Sequence, residues 1–348
     1  MNGPPADVRA HLIEFSAKLK VPAVIGGVLS RDGTLDYDVV GFKYRGSDDV
    51  ADIHDKWHIG SCAKSITAVL YARLVERGET DWDCSVASLF PDLAHQIDDG
   101  WGNRTIEELF LCRAGMQANP SMYAMLAGWS DTRSLVDQRT EAALSAMRKA
   151  PGVRGRFVYS NLSYMVIGAA IDRITGVPYE EALARHVLEP LGITSVGYGA
   201  PPNIWGHRAR VQLAGLALFV GNPVDPQSAR SDNPRMMSSA GTMHLTIADW
   251  AKFLNLFING GGDLLQPGTI DFLLKIPEGN GIKMAKGWAK AEGIKGVSFG
   301  MQGSNTMWSA AALLNEKRTR LSLVVCNDGR TRIVSQTAVL AAKLLNPQ

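Results

Sequence analysis

The chain has no long apolar run. Its nearest approach, residues 211–220, is broken by Gln212 and Gly215, far short of the ~20 apolar residues a helix needs to cross a bilayer. The first residues, Met1-Asn2-Gly3-Pro4-Pro5, do not follow the basic, apolar, small-residue order of a signal peptide. The cytoplasm is the expected location, with no membrane partner. Charge of one sign is also missing: 36 Lys and Arg stand against 34 Asp and Glu, for a formal net charge of +2. Nucleic acid is therefore not an expected partner, since phosphate neutralisation needs a clustered basic excess. Only four cysteines occur, Cys62, Cys84, Cys112 and Cys326. They form no Cys-x-x-Cys pair and read as small buried hydrophobes. Of the seven histidines only His54 and His58 stand four residues apart, on the strand-like approach to Ser61 rather than on a helix face, so no metal is expected. The Gly-x-x-x-x-Gly-Lys phosphate loop is absent, which disfavours a nucleotide hydrolase. No cofactor is expected.

What the chain does have is length and pattern. At about 150 residues per domain, 348 residues suggest two domains. Residues 6–19 have helical periodicity, and strand-like runs at 23–29 and 35–42 flank an Asp32-Gly33 turn. A helix is expected from Ser61 to Gly78. The middle of the chain reads as helices at 141–150, 162–175 and 178–188, with a capping box at Thr105-Ile106-Glu107-Glu108. The proline-bearing stretch 199–236 has no long period and reads as a wrapping segment. Strands are expected at 284–290, 296–301, 307–314 and 321–326, after a helix capped at Thr246 and before a closing helix at 333–345. This order implies an α+β fold, with one antiparallel sheet built from both termini and flanked by helices. Residues 1–78 plus 237–348 would form the sheet domain and 79–236 an inserted, mostly helical domain. The cleft between them is the expected ligand site.

Three segments bear chemistry. Ser61-Cys62-Ala63-Lys64 places a serine and a lysine at i and i+3, on one helix face. A lysine so placed can take the proton that makes a serine hydroxyl nucleophilic, and the helix start favours a developing oxyanion. Read blandly, Ser61 is an N-cap and Lys64 a solvated first-turn lysine. Tyr159-Ser160-Asn161 opens the buried 162–175 helix, offering a phenol and an amide that can both donate and accept. Its bland reading is a cap after a core tyrosine. Gly300-Met301-Gln302-Gly303-Ser304-Asn305 lies between two strands, where glycine lets a ligand approach backbone. His58 is expected to pack in the strand before Ser61 rather than relay protons. Trp205, Trp288 and Trp308 read as core near the cleft, and Cys62 should point away from the face of Ser61.

Taken together and in order, these segments resemble the serine β-lactamase and penicillin-binding-protein superfamily, in its class C-like branch of esterases, D-amino-acid peptidases and acyltransferases. Ile59-Gly60-Ser61-Cys62-Ala63-Lys64-Ser65 is similar to the family's nucleophile segment, and Tyr159-Ser160-Asn161 fits its Tyr-x-Asn motif. Leu188-Glu189-Pro190-Leu191-Gly192 and Ser238-Ser239-Ala240-Gly241 look like further family landmarks. The resemblance implies acylation of Ser61, with Lys64 and Tyr159 managing its proton. It implies that Asn161 contacts the substrate or Lys64, and that the backbone N–H groups of Ser61 and Ser304 hold the oxyanion. Met301, Gln302 and Gly303 would line the substrate.

Two departures qualify it. Met301 stands where the family's third motif carries Lys or His, and Cys112-Arg113-Ala114-Gly115-Met116 replaces a His-Thr-Ser-Gly loop. Lys286 and Lys295 lie near Met301 in sequence but outside its register, and Gln117 and Asn119 follow the altered loop. The missing base shifts the expected substrate from β-lactams toward a small-molecule ester or amide. An acyltransferase, a weak β-lactamase or D-aminopeptidase, and a silent binding or sensor protein on the same fold are the alternatives. The sequence carries no sign of oligomeric state.

Overall fold

Alternating apolar residues in the first and last strands bury both faces of one sheet. A computed structural model describes residues 7–208, 212–213, 216–217, 221–278 and 282–346. The sheet has six antiparallel strands in the order Ala289–Lys290, Val297–Ser304, Ser309–Asn315, Arg320–Cys326, Ala23–Ser30, Leu35–Gly41. The C-terminal strand Arg320–Cys326 pairs directly with the N-terminal strand Ala23–Ser30, Val24 opposite Cys326 and Leu29 opposite Leu321. The sheet is thus built from both ends of the chain, as the sequence pattern predicts.

Period-two alternation divides the side chains between two cores. Val24, Val28, Leu313, Val324 and Cys326 pack with the helices Val8–Leu19 and Thr331–Leu345. Ile25, Leu29, Leu314, Leu323 and Val325 face the larger core, which includes the helices Ala63–Glu76, Asn161–Thr175 and Ile247–Ile258. Each such fully buried side chain contributes about 1.5–3 kcal/mol of burial free energy. Asp7 caps the first helix through its side chain on Ala10 N at 3.0 Å, Thr105 and Glu108 close the capping box, and Thr246 caps the helix before the last strands. Among the described residues, no helix is long and apolar enough to cross a membrane.

Several elements differ from the expectation. The run at 284–290 is not a strand until Ala289. Gly287 turns at φ +85°, where a Cβ would lie 2.6 Å from Ser65 N, so the chain is held tight against the start of the Ala63–Glu76 helix. The helix expected at 141–150 runs instead from Leu135 to Met147, capped by Ser134. Its first turns escape an apolar-periodicity reading because their buried face carries charge. Arg139 is fully buried and pairs with Asp172 and Glu180, both at 2.8 Å. Met122–Gly128 is a short helix with no buried residue, which leaves no pattern to read. The helix expected at 178–188 is α-helical only over Tyr179–Leu183 and widens to a π turn over Ala184–Leu188. Among the described residues, the stretch 199–234 holds no strand longer than two residues, as in Gly206–His207 against Pro223–Val224. The expected helix start at residue 6 and most of the 211–220 run lie outside the described residues.

Candidate active site

Ser61 sits where a short strand gives way to a helix. Trp57–His58 pairs with Met243–Leu245, a single 3-10 turn spans Gly60–Cys62, and the helix Ala63–Glu76 follows. Ile66, Val69, Leu70 and Leu74 are all fully buried along that helix. Its start cannot slide without disturbing a close-packed core. Ser61 therefore lies in the turn that opens the helix, and its side chain makes no cap bond.

Two glycines let backbone meet backbone here. Gly60 takes φ +52°, and a Cβ on it would stand 2.6 Å from Ser304 N. A Cβ on Gly303 would stand 2.0 Å from Ile59 O and 2.9 Å from Ser61 N. The Val297–Ser304 strand is thus pressed against the turn that carries Ser61, and the amide nitrogens of Ser61 and Ser304 fall in one small region. The short strand Ala289–Lys290 pairs only with Gly300 and Phe299, which leaves the edge of 301–304 facing that turn. Two backbone N–H groups so placed can stabilise an oxyanion.

Lys64 is the hub. Its side chain is buried, and Nζ lies 3.1 Å from Ser61 Oγ, 2.8 Å from Asn161 Oδ1 and 2.5 Å from Ala240 O. An ammonium has three N–H donors, and all three are used. A neutral amine here would donate to Asn161 and Ala240 and keep its lone pair for the Ser61 O–H. Asn161 Nδ2 donates in turn to Asn119 Oδ1 at 2.8 Å. The Tyr159 ring centroid is 5.1 Å from Lys64 Nζ and the Tyr164 ring centroid 5.3 Å. Tyr159 is partly exposed at the cavity, whereas burial pushes the Tyr164 phenol up. Among the described residues, no hydrogen bond joins the Tyr159 hydroxyl to Ser61 or Lys64.

The residues flanking the third segment divide by strand alternation. Met301 is buried on the Ser61 side, with Ser65 Oγ 3.6 Å from its Sδ. Gln302 lines the same cavity, and its side chain donates to Val334 O of the closing helix at 3.2 Å. Lys286 does not replace the missing base. It is buried against Glu107 at 2.8 Å and lies 3.9 Å over the Phe272 ring, and burial lowers its pKa. Lys290, which sequence reasoning passed over, lines the cavity at Ser61. Ala240 serves the site through its backbone carbonyl on Lys64, which no side-chain pattern reveals.

In the altered loop, Cys112 adopts φ +55°, and its carbonyl accepts Val158 N at 3.0 Å, bringing the loop beside Tyr159. Asn119 reaches the site through its side chain. Gln117 contributes only its carbonyl, to Ser160 Oγ at 2.6 Å. Cys62 is fully buried away from Ser61, and burial pushes its thiol up. Trp288 and Trp308 are fully buried, and Trp205 stacks on Tyr44 at 4.4 Å.

The beta-lactamase family profile matches residues 9–338. The chain belongs to the beta-lactamase family. Among curated members of related sequence, it is 25% identical over 264 residues to the unguisins hydrolase ungD of Aspergillus violaceofuscus, covering 73% of this chain and 45% of that protein. It is 30% identical over 150 residues to the esterase EstB of Burkholderia gladioli, covering 41% of this chain and 38% of that one. The chain spans about half the length of the curated relatives it matches. The solved D-amino acid amidase of Ochrobactrum anthropi SV3 superposes with a TM-score of 0.78 at 19% identity, over 97% of each chain. That likeness shows a shared beta-lactamase-type fold.

Proposed function

We propose that this chain is a serine hydrolase that cleaves a small-molecule ester or amide through an acyl-enzyme on Ser61. The observation that carries the reading is the buried Lys64 amine, held by Asn161 and Ala240 with Ser61 Oγ as its third partner. Ser61 Oγ would attack the substrate carbonyl carbon while its proton passes to Lys64 or Tyr159. The carbonyl oxygen would gain negative charge in front of the N–H groups of Ser61 and Ser304. Collapse of the tetrahedral adduct would expel the alcohol or amine, which takes up the proton, and leave the acyl group on Ser61. Water entering by the same route would release the acid and return the proton to Ser61.

Asn161 would orient Lys64 and offer its amide to the substrate, while Gly303 would hold the two oxyanion donors together. The sheet unit 1–78 plus 237–348 and the inserted helical unit 79–236 would supply the two walls of the cleft. The cavity at Ser61, about 370 Å³, is lined by Met284, Ala289, Ile294, Met301 and Leu313, with Lys290 among its polar groups. A pocket of this chemistry favours an apolar acyl group. Turnover of p-nitrophenyl acetate or butyrate, abolished in Ser61→Ala with the fold retained, supports the reading. Equal turnover by Ser61→Ala refutes it.

A further inference from the structure

Three buried polar side chains beside Ser61 have no part in the steps above: His58, Asp232 and Asn305, at 0%, 6% and 5% exposure. Gly60 N–H points at His58 Nδ1 from 3.1 Å. A backbone amide can only donate, so Nδ1 accepts and the proton of the neutral ring sits on Nε2. Nε2 lies 2.9 Å from Asp232 Oδ2 and donates to it. Asp232 Oδ1 accepts Asn305 Nδ2 and its neighbour Asn233 N, both at 2.7 Å. Asn305 Oδ1 accepts Met307 N and Trp308 N, each at 3.1 Å. Trp308 stacks on the His58 ring at 5.4 Å, and Trp129 Nε1 holds the Asp232 carbonyl at 2.8 Å. No polar atom of the three side chains lacks a partner.

The two ends of this network are informative. Gly60 precedes Ser61, and Asn305 follows Ser304. We propose that His58, Asp232 and Asn305 are positioning residues that fix the two oxyanion donors relative to one another, an inference that rests on the serine-hydrolase reading. The direction of the Gly60 N–H, together with its left-handed φ, sets where the next amide, that of Ser61, points. His58 holds that direction. Asn305 clamps the turn after Ser304 by its oxygen and reaches the same carboxylate by its nitrogen. Asp232 comes from the stretch between Pro223–Val224 and the Ser238–Gly241 turn, so a residue far from both donors in sequence couples them.

Substitution of His58 separates the two bonds. In His58→Asn the side-chain oxygen falls near the place of Nδ1 and still accepts Gly60 N–H. In His58→Gln the amide reaches the place of Nε2 and serves Asp232 only, and His58→Leu serves neither. The assay is p-nitrophenyl butyrate hydrolysis, with kcat expressed per site titrated by a fluorophosphonate, and with inhibition by phenylboronic acid, whose tetrahedral adduct uses the same donors. His58→Gln and His58→Leu should lose about 10- to 100-fold in kcat, with KM within about twofold, since one well-placed oxyanion donor is worth ~10²–10³. Phenylboronic acid affinity should fall in the same proportion, and His58→Asn should keep kcat within about threefold. A merely structural role would lower the titratable fraction or Tm but leave kcat per titrated site unchanged.

Wild-type kcat per site in His58→Gln, or equal losses in His58→Asn and His58→Gln, overturns the proposal. That pair decides even if His58→Leu does not fold. A wild-type chain that takes no fluorophosphonate at Ser61 overturns the hydrolase reading and this proposal with it. A labelled, active wild type with indifferent His58 variants overturns this proposal alone.

Discussion

Gly303→Ala is the sharpest perturbation of the catalytic geometry, because it adds one carbon between two backbones. That carbon would lie 2.0 Å from Ile59 O, 2.9 Å from Ser61 N and 3.0 Å from Cys62 N, where ordinary contact begins at 3.4 Å. None of the three is a flexible side-chain end, so the Val297–Ser304 strand and the Ser61 turn must separate by about 1 Å. Displacement of that size in a reacting assembly costs roughly 10²-fold, or about 2.7 kcal/mol of barrier. The same addition at Gly300, three residues back on the same strand, meets Leu313 Cδ2 at 2.5 Å. That carbon ends a rotatable side chain, so Gly300→Ala should retain kcat/KM within about threefold. Both variants are compared with the wild type in p-nitrophenyl butyrate hydrolysis, with a thermal melt on each. Wild-type kcat/KM in a folded Gly303→Ala would refute the idea that close backbone approach builds the oxyanion site. Equal losses in the two variants would refute it as well.

Lys64→Met should lower kcat by roughly 10²–10⁴, the usual worth of a positioned general base. A stopped-flow burst at the wild-type rate would contradict the role given to the amine. Met301→Lys places a cation on the Ser61 side of the strand and should speed nitrocefin acylation about tenfold or more, the scale of one charge-assisted hydrogen bond. Unchanged nitrocefin acylation with ester hydrolysis intact would show that the missing base does not limit β-lactam handling. Burial holds the imidazoles of His207 and His244 down at about 4, against 6.5 when free. His207 accepts Arg45 N–H at Nε2 and donates to Asn327 O from Nδ1, so its ring has no room for a second proton. Because the unfolded chain takes up these protons first, stability is full above pH ~6.5 and is lost as pH falls toward ~4. The loss is at most on the order of 3 kcal/mol per ring. Urea midpoints measured across that range, flat in pH, would contradict the assignment.

The parts of this protein legible in its sequence are those where side-chain pattern and backbone geometry agree. The two-sided strands 23–29 and 321–326 alternate cleanly, and their pairing follows from apolar residues on both faces. Ser61 and Lys64 share a helix face by spacing alone, and the structure puts them 3.1 Å apart. Asn161, placed near a lysine by motif order, is that lysine's partner. What stayed hidden has physical causes. Arg139 buries charge where periodicity searches look for apolar residues, so its helix starts six residues earlier than the pattern indicates. The Ala240 carbonyl is backbone, and no side chain announces it. Gln302 and Met301 both line the cavity, but Gln302 also donates to Val334 O of the closing helix, a contact fixed only once the strand register is known. His58 reads as core packing and is fully buried, yet its ring nitrogens are both engaged. Burial can be expected from sequence, but a hydrogen bond to the next residue but one depends on the left-handed turn at Gly60.

The central claim is that Ser61 carries the acyl group. Brief incubation with a fluorophosphonate, and separately acid quenching during p-nitrophenyl butyrate turnover, followed by intact mass and peptide mapping, tests it directly. The account predicts one adduct per chain on the peptide that contains Ser61, and none in Ser61→Ala. Turnover with no trapped adduct, or an adduct that persists in Ser61→Ala, would contradict it.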